Sequence, residues 1–342
     1  MIGFSFYLQD QDAENQIIHA ANLGVRRAFT SLHIPEEKGE LAVRMSELLK
    51  FAQTYGVEVH ADVSIKTLEH MDISGFLDLA PLGVKGIRLD DGFDMATITA
   101  LSKVFSLSLN ASTLNEEELL AVLESGIQPE SLIAWHNFYP RPETGLEEVF
   151  FHEQNKRFKH YGIPIHAFIP GAGSKRGPVH MGLPTVEKHR FMNPYAAGVD
   201  LLSHVDAVYV GDQGTEGNLL QDLCNYESLN ILSVRMESAR LPSGRYKLRP
   251  EVSRDVFRLQ NTRVTGAVEP ENTIRRTLGA ITMDNDEYGR YRGEIQICKR
   301  DLEANHRVNV IGRVIEEDLP LLAFLKPCHS LVLVNEYSSR EQ

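Results

Sequence analysis

The sequence predicts an α/β fold: a (β/α)8 TIM-type barrel followed by a small β domain. Three observations carry the prediction. Short apolar runs recur eight times in about the first 230 residues, each followed by a stretch with apolar positions at helical spacing. That count and that length suit a barrel of roughly 250 residues. No GxGxxG follows the first run, so the rival doubly wound sheet lacks its usual phosphate-binding turn.

The elements follow in order. Gly3 to Leu8 is the first strand, and the next helix runs to Leu23 with Gly24 as its C-cap. Arg26 to Leu32 is the second strand, followed by a long helix from Glu37 to Tyr55 that Gly56 closes. Val57 to Ser64 is the third strand, with Asp62 near its end, and Gly86 to Leu89 is the fourth, running into Asp90-Asp91-Gly92. Phe105 to Leu109 leads into Asn110, and Asn115 with Glu118 forms a capping box for the helix after it. Ser131 to Trp135 is the sixth strand, and a helix is expected from Gly145 to Tyr161. Pro164 to Ile169 is the seventh, and Ala207 to Val210 the eighth, ending in Gly211-Asp212. The barrel is assigned to residues 1–235.

Past that point Pro242, Gly244 and Pro250 mark a linker-like stretch. Strands are then expected at Thr262 to Ala267, Ala280 to Met283, Arg292 to Ile297, Arg307 to Val314 and Ser330 to Val334, which places a separate β domain at 240–342.

Composition narrows the function. With 47 acidic against 35 basic residues the net charge is −12, which argues against a general nucleic-acid binder but leaves room for a local phosphate pocket. Cys224, Cys298 and Cys328 are far apart and odd in number, with no CxxC spacing, so a reducing cytoplasm is the simplest setting. Met1 to Leu8 lacks a basic flank and reads as a strand rather than a signal peptide, and no run is long enough to span a bilayer.

The chemistry gathers at strand ends, which share one face of a barrel. The densest stretch is His136-Asn137-Phe138-Tyr139-Pro140-Arg141-Pro142-Glu143-Thr144-Gly145, a proline-stiffened loop after a buried strand. Its groups suit a polar, anionic small molecule. Asp62, Asp90 and Asp212 are the candidate catalytic carboxylates, since paired carboxylates at such a mouth can run glycosidic hydrolysis. Asp90 is favoured as acid, Asp62 as its partner and Asp212 as the substitute for either. The competing role for each is a helix N-cap or a salt bridge with Arg88. Lys175 and Arg176, among Gly171, Gly173 and Gly177, form a candidate phosphate clamp that Arg141 completes. Tyr7, Asn110, His136, Asn137, Tyr139, Glu143 and Asn285 are the candidate substrate contacts. His60 and His166 read as interior groups. His180, His189 and His204 lack helical HxxxH spacing, and no metal or organic cofactor is expected.

The loop from His136 to Gly145 resembles the signature of the 6-phospho-N-acetylmuramidases, glycoside hydrolase family 170. Phe29-Thr30-Ser31-Leu32, Ile87-Arg88-Leu89-Asp90, Phe168-Ile169-Pro170-Gly171, Gly182 to Arg190 and Ile281 to Asn285 are similar too. The resemblance spans nearly the whole chain. It implies that the β domain is cyclophilin-like. It also implies cytoplasmic cleavage of a phosphorylated amino-sugar disaccharide, N-acetylmuramic acid 6-phosphate joined to N-acetylglucosamine, in peptidoglycan recycling. Two other functions stay open: a phosphosugar isomerase or aldolase on the same barrel, and a non-catalytic phosphosugar-binding regulator. A homodimer is compatible with these features.

Overall fold

The computed structural model describes residues 1–32, 40–89, 93–213 and 217–337. Two compact units divide the chain, 1–224 and 225–342. In the first, strands and helices alternate: β1 Ile2–Ser5, α1 Ala13–Asn22, β2 Arg27–Ser31, α2 Glu40–Thr54, β3 Glu58–Val63, α3 Thr67–His70, β4 Val84–Leu89, α4 Met95–Leu101, β5 Ser106–Asn110, α5 Glu116–Glu124, β6 Leu132–Trp135, α6 Glu148–His160, β7 Ile165–Ile169, α7 Pro194–Leu202 and β8 Ala207–Val210, after which α8 Leu219–Leu229 runs across the division. The eight strands form a closed parallel barrel. Phe4 of β1 faces Ala28 of β2 on one side and Val210 of β8 on the other, which shuts the ring. β1, β6, β7 and β8 are buried throughout, and apart from Ser5 and His166 they read as apolar runs.

Local chemistry sets the helix ends. Asn115 Oδ1 accepts from Glu118 N at 3.0 Å, and Glu118 Oε2 accepts from Asn115 N at 2.9 Å, the reciprocal box expected there. Gly24 and Gly56 follow their helices at φ +81° and +68°, a conformation that costs any other residue energy. The helix expected from Gly145 begins at Glu148, because Glu147 caps it by accepting from Phe150 N at 2.9 Å.

The barrel interior is a packed core. Tyr7, Phe29, Ile133, Trp135, Phe168, Ala207 and Tyr209 form one cluster, with Phe138 against it. Trp135 lies 4.4 Å from Tyr209 and 4.8 Å from His166, centroid to centroid. Two glycines make this possible. A Cβ on Gly3 would collide with the Tyr209 ring, and one on Gly86 with the His60 ring. Burial holds the His60 imidazole down at about 4 and His166 well below the ordinary histidine value, so both are neutral interior groups.

The second unit is a seven-stranded sheet: β9 Ile231–Ser238, β10 Gly244–Lys247, β11 Val256–Arg258, β12 Ala280–Asp284, β13 Ile295–Cys298, β14 Val308–Val314 and β15 Ser330–Asn335, in the order β10-β15-β9-β14-β12-β13-β11. Its pairs are antiparallel except β15 with β9. β9 pairs with β14 and β15, so it belongs to this sheet, and the compact units divide between Cys224 and Asn225. One expectation is corrected here. Thr262 to Ala267 is not a strand: apart from half-buried Thr262 it is exposed, so it has no apolar face to lay on a core. Among the described residues no helix is long and apolar enough to cross a membrane.

Candidate active site

The C-terminal ends of the barrel strands bring most of the expected groups to one mouth. Register places Asp62 of β3 opposite Arg88 of β4. The Arg88 side chain is largely buried, and its Nη1 lies 3.3 Å from Asp62 Oδ1. Its Nη2 donates to Asn137 Oδ1, and its buried Nε has no partner among the described residues. Asn137 is fixed in turn by its backbone. Its N–H donates to Ser112 Oγ at 2.9 Å and its carbonyl accepts from Thr185 Oγ1 at 2.8 Å. Asn110 Oδ1 accepts from Ser112 N at 3.1 Å, which shapes the turn after β5. Asp62, Arg88 and Asn137 therefore form one chain of polar contacts across β3, β4 and β6. Asp90, the residue after Leu89, lies outside the described residues, as does Asp91.

Asp212 has another part. Its carboxylate is almost wholly buried, at 1% exposure. Oδ2 accepts from Gly171 N at 2.9 Å and Leu183 N at 3.2 Å, while Oδ1 accepts from Arg176 N at 3.0 Å. Lys175 Nζ stands 4.0 Å away and also donates to Gly171 O. These bonds take three of the roughly four acceptor sites of the carboxylate and make Asp212 an anchor for the loop after β7. The anchor holds Lys175 and Arg176 in place. Desolvation lowers the Lys175 amine from its ordinary value. The Arg176 guanidinium lies 3.8 Å over the ring of Tyr7. Tyr7 is buried and donates its hydroxyl to Gly211 O at 2.7 Å, and burial raises its pKa. Tyr7 thus supports Arg176 from below instead of offering a free phenol to a ligand.

The signature loop also divides. His136 is fully buried: Nε2 meets Asn155 Oδ1 at 2.8 Å, Nδ1 meets Ser112 Oγ at 3.3 Å, and the ring faces Phe151 at 4.8 Å. Burial holds it at about 4, and it ties β6 to α6 rather than contacting substrate. Tyr139, half-buried, donates its N–H to Pro184 O at 2.9 Å. Arg141 is exposed, and its guanidinium has no ion-pair partner among the described residues. Glu143 is exposed at φ +69°. Asn285 belongs to the second unit and is fully buried there. Its Nδ2 donates to His306 O and Asn309 Oδ1 at 2.8 and 2.9 Å, and its Oδ1 accepts from Glu287 N at 3.2 Å, so it is an internal cap with no free group for substrate.

Reasoning from the sequence missed Ser112 and Thr185, whose hydroxyls set Asn137, and the pair Glu187 and Arg190. The three-residue spacing of that acid and base on one helical turn was a readable signal. Their partners, some 40 to 50 positions away in sequence, were not.

Among the described residues, the strand ends of this (β/α)8 barrel carry the half-buried carboxylate of Asp62 and, on the loops after β6 and β7, the cations Arg141, Lys175 and Arg176, the kind of polar mouth that suits a small anionic molecule. Comparison with known proteins makes this specific. Residues 2–225 match the family described as 6-phospho-N-acetylmuramidase, N-terminal, and residues 230–334 match 6-phospho-N-acetylmuramidase, C-terminal. The chain belongs to the 6-phospho-N-acetylmuramidase family, whose name denotes a glycosidase. Among solved structures it is similar to a conserved protein of unknown function from an Enterococcus faecalis locus, at 34% identity and TM-score 0.88 over 100% of both chains. It is also similar to an uncharacterized B. cereus protein, at 25% identity and TM-score 0.74, covering 98% of this chain and 99% of that one. No functionally curated protein matches it.

Proposed function

We propose that this chain is a cytoplasmic glycosidase that hydrolyses N-acetylmuramic acid 6-phosphate joined to N-acetylglucosamine, in peptidoglycan recycling. One observation carries the reading. In a chain of this family, Asp62 stands in the Asp62–Arg88–Asn137 chain while the strand-end loops after β6 and β7 carry Arg141, Lys175 and Arg176. The substrate has two anionic groups, a phosphate and a lactyl carboxylate, and those cations answer them. Asp62, beside Arg88, suits the carboxylate that attacks the sugar or activates water. Asp90, next in sequence after β4, suits the acid that protonates the leaving oxygen. Carboxyl groups about 5–5.5 Å apart give retention and about 6.5–9.5 Å inversion, so the anomer first formed reports their separation. Incubating the purified chain with the phosphorylated disaccharide should release N-acetylglucosamine, and no release would defeat the proposal.

A second reading, a Schiff-base aldolase acting on a phosphosugar, has one observation in its favour. Lys175 is half-buried with a lowered pKa, as an amine nucleophile requires. Borohydride trapping of a carbonyl phosphosugar on Lys175 would establish it. We expect no adduct, because Lys175 Nζ is engaged by Gly171 O and Asp212.

A further inference from the structure

Two residues of the run 187–190, Glu187 and Arg190, fasten the signature loop to the segment after β7. Glu187 Oε1 accepts from Glu143 N at 2.9 Å and Oε2 from Gly145 N at 2.7 Å. Arg190 grips the same carboxylate through Nε and Nη2 at 2.6 and 2.7 Å. Its Nη2 also donates to the carbonyls of Tyr139 and Arg141 at 2.9 and 3.1 Å, and its Nη1 to Gly182 O at 3.1 Å. The Arg190 side chain is fully buried. Arg190 first, then the two amides, hold the Glu187 carboxyl at about 2, against the opposing pull of burial. The two residues between them bind other elements: Lys188 reaches Glu148 and Asp200, and the fully buried His189 reaches Asp200 at 2.7 Å. Gly145 is required at its place, because a Cβ there would strike the Glu187 carboxylate and backbone.

Every bond from this cluster to the loop is to backbone. Arg190 holds the Arg141 carbonyl while the Arg141 guanidinium is exposed and without an ion pair among the described residues. A loop whose main chain is immobilised and whose charged end is free is preorganised for a ligand, which lowers the ordering cost of binding.

We propose that Glu187 and Arg190 are positioning residues, a clasp that presets residues 139–145 and, through Arg141, sets selectivity for a phosphorylated sugar. The proposal rests on the functional reading above, and its test separates the two. Wild type, Glu187→Gln, Arg190→Lys and Gly145→Ala are compared in two ways. Amide hydrogen exchange over 139–146 needs no substrate. In each variant exchange at positions 143 and 145 should quicken at least tenfold, while β3 and β4 stay protected. Calorimetric binding of N-acetylmuramic acid 6-phosphate against N-acetylmuramic acid needs no turnover. The affinity ratio should fall at least tenfold in each variant. If the disaccharide is also cleaved, its KM should rise with kcat changed less than twofold, a split that general loss of fold would not produce. Lysine at 190 should not rescue, since one ammonium cannot span the carboxylate and three carbonyls. Unchanged exchange would overturn the clasp. Quickened exchange with an unchanged ratio, or a wild type with no preference for the phosphorylated sugar, would overturn the link to selectivity. A wild type that prefers the phosphorylated sugar yet cleaves nothing would defeat only the hydrolase reading.

Discussion

Replacing Asp212 with asparagine should loosen the loop after β7 and destabilise the barrel, without acting on the chemical step directly. The buried carboxylate accepts three backbone N–H groups, from Gly171, Leu183 and Arg176. An asparagine keeps one oxygen and turns an NH2 towards at least one of those donors, whichever way the amide lies. Hydrogen bonds to a charged group contribute about 1.5–3 kcal/mol, and a buried donor left unpaired costs about 1–3 kcal/mol. Removing one of these bonds and weakening the others should therefore cost about 2–4 kcal/mol. For a unit of this size each kcal/mol moves the transition by about 2–4 °C, so Tm should fall by about 4–16 °C. The assay is convenient, because Trp135 is the chain's one tryptophan and sits inside the barrel, so its fluorescence follows the first unit alone. Limited proteolysis should open new cuts between 171 and 182. A transition within about 1 °C of wild type and an uncut loop would refute the reasoning. Abolished turnover with no loosening would point to Asp212 as a catalyst.

Three further outcomes are expected. His60, His136 and His166 are buried with pKa values lowered to about 4, to about 4 and well below normal. Between the unfolded value near 6.5 and about 4 the unfolded chain binds protons that the barrel does not. Stability should fall as pH drops through that window, by up to about 1.4 kcal/mol per pH unit for each histidine, and a flat Trp135-monitored stability from pH 7 to 4 would contradict this. In the second unit, burial and then the nearby Glu294 push Asp284 up to about 7. Between 3.8 and 7 the folded form holds the extra proton, so this group's contribution to stability disappears as pH rises. Asp284→Asn should accordingly protect β12 and β13 amides from exchange more at pH 8 than at pH 5, and equal protection at both would count against it. Arg141→Ala should weaken binding of the phosphorylated sugar by about 1.5–3 kcal/mol for each charge-assisted hydrogen bond removed, and an equal weakening with the unphosphorylated sugar would rule out the phosphate role.

Much of the barrel was legible because several of its strands are buried throughout. Ile165 to Ile169 can scarcely be read otherwise than as a buried strand, and the Asn115–Glu118 box announces its helix. The second sheet was harder. β10 alternates half-buried with exposed residues and β11 is only half-buried, so neither carries a strong apolar period. At the mouth, position could be read but direction could not. His136 and Asn137 are neighbours, yet one side chain turns inward to Asn155 and the other meets Arg88. Asp62 and Asp212 look alike as strand-end acids. What separates them is three backbone amides from the loop after β7, whose path no local pattern fixes. Asn285 looked like a turn residue open to a ligand because the asparagine it meets, Asn309, lies on another strand.

The most direct test is the ratio of kcat/KM for the disaccharide with and without its 6-phosphate, measured on wild type and on Asp62→Asn. If two charge-assisted hydrogen bonds read the phosphate, at about 1.5–3 kcal/mol each, wild type should favour the phosphorylated substrate by about 10²–10⁴-fold. Asp62→Asn should lose nearly all turnover of both substrates while still binding the phosphorylated one better. A wild-type ratio near one, or near-normal turnover by Asp62→Asn, would contradict the account.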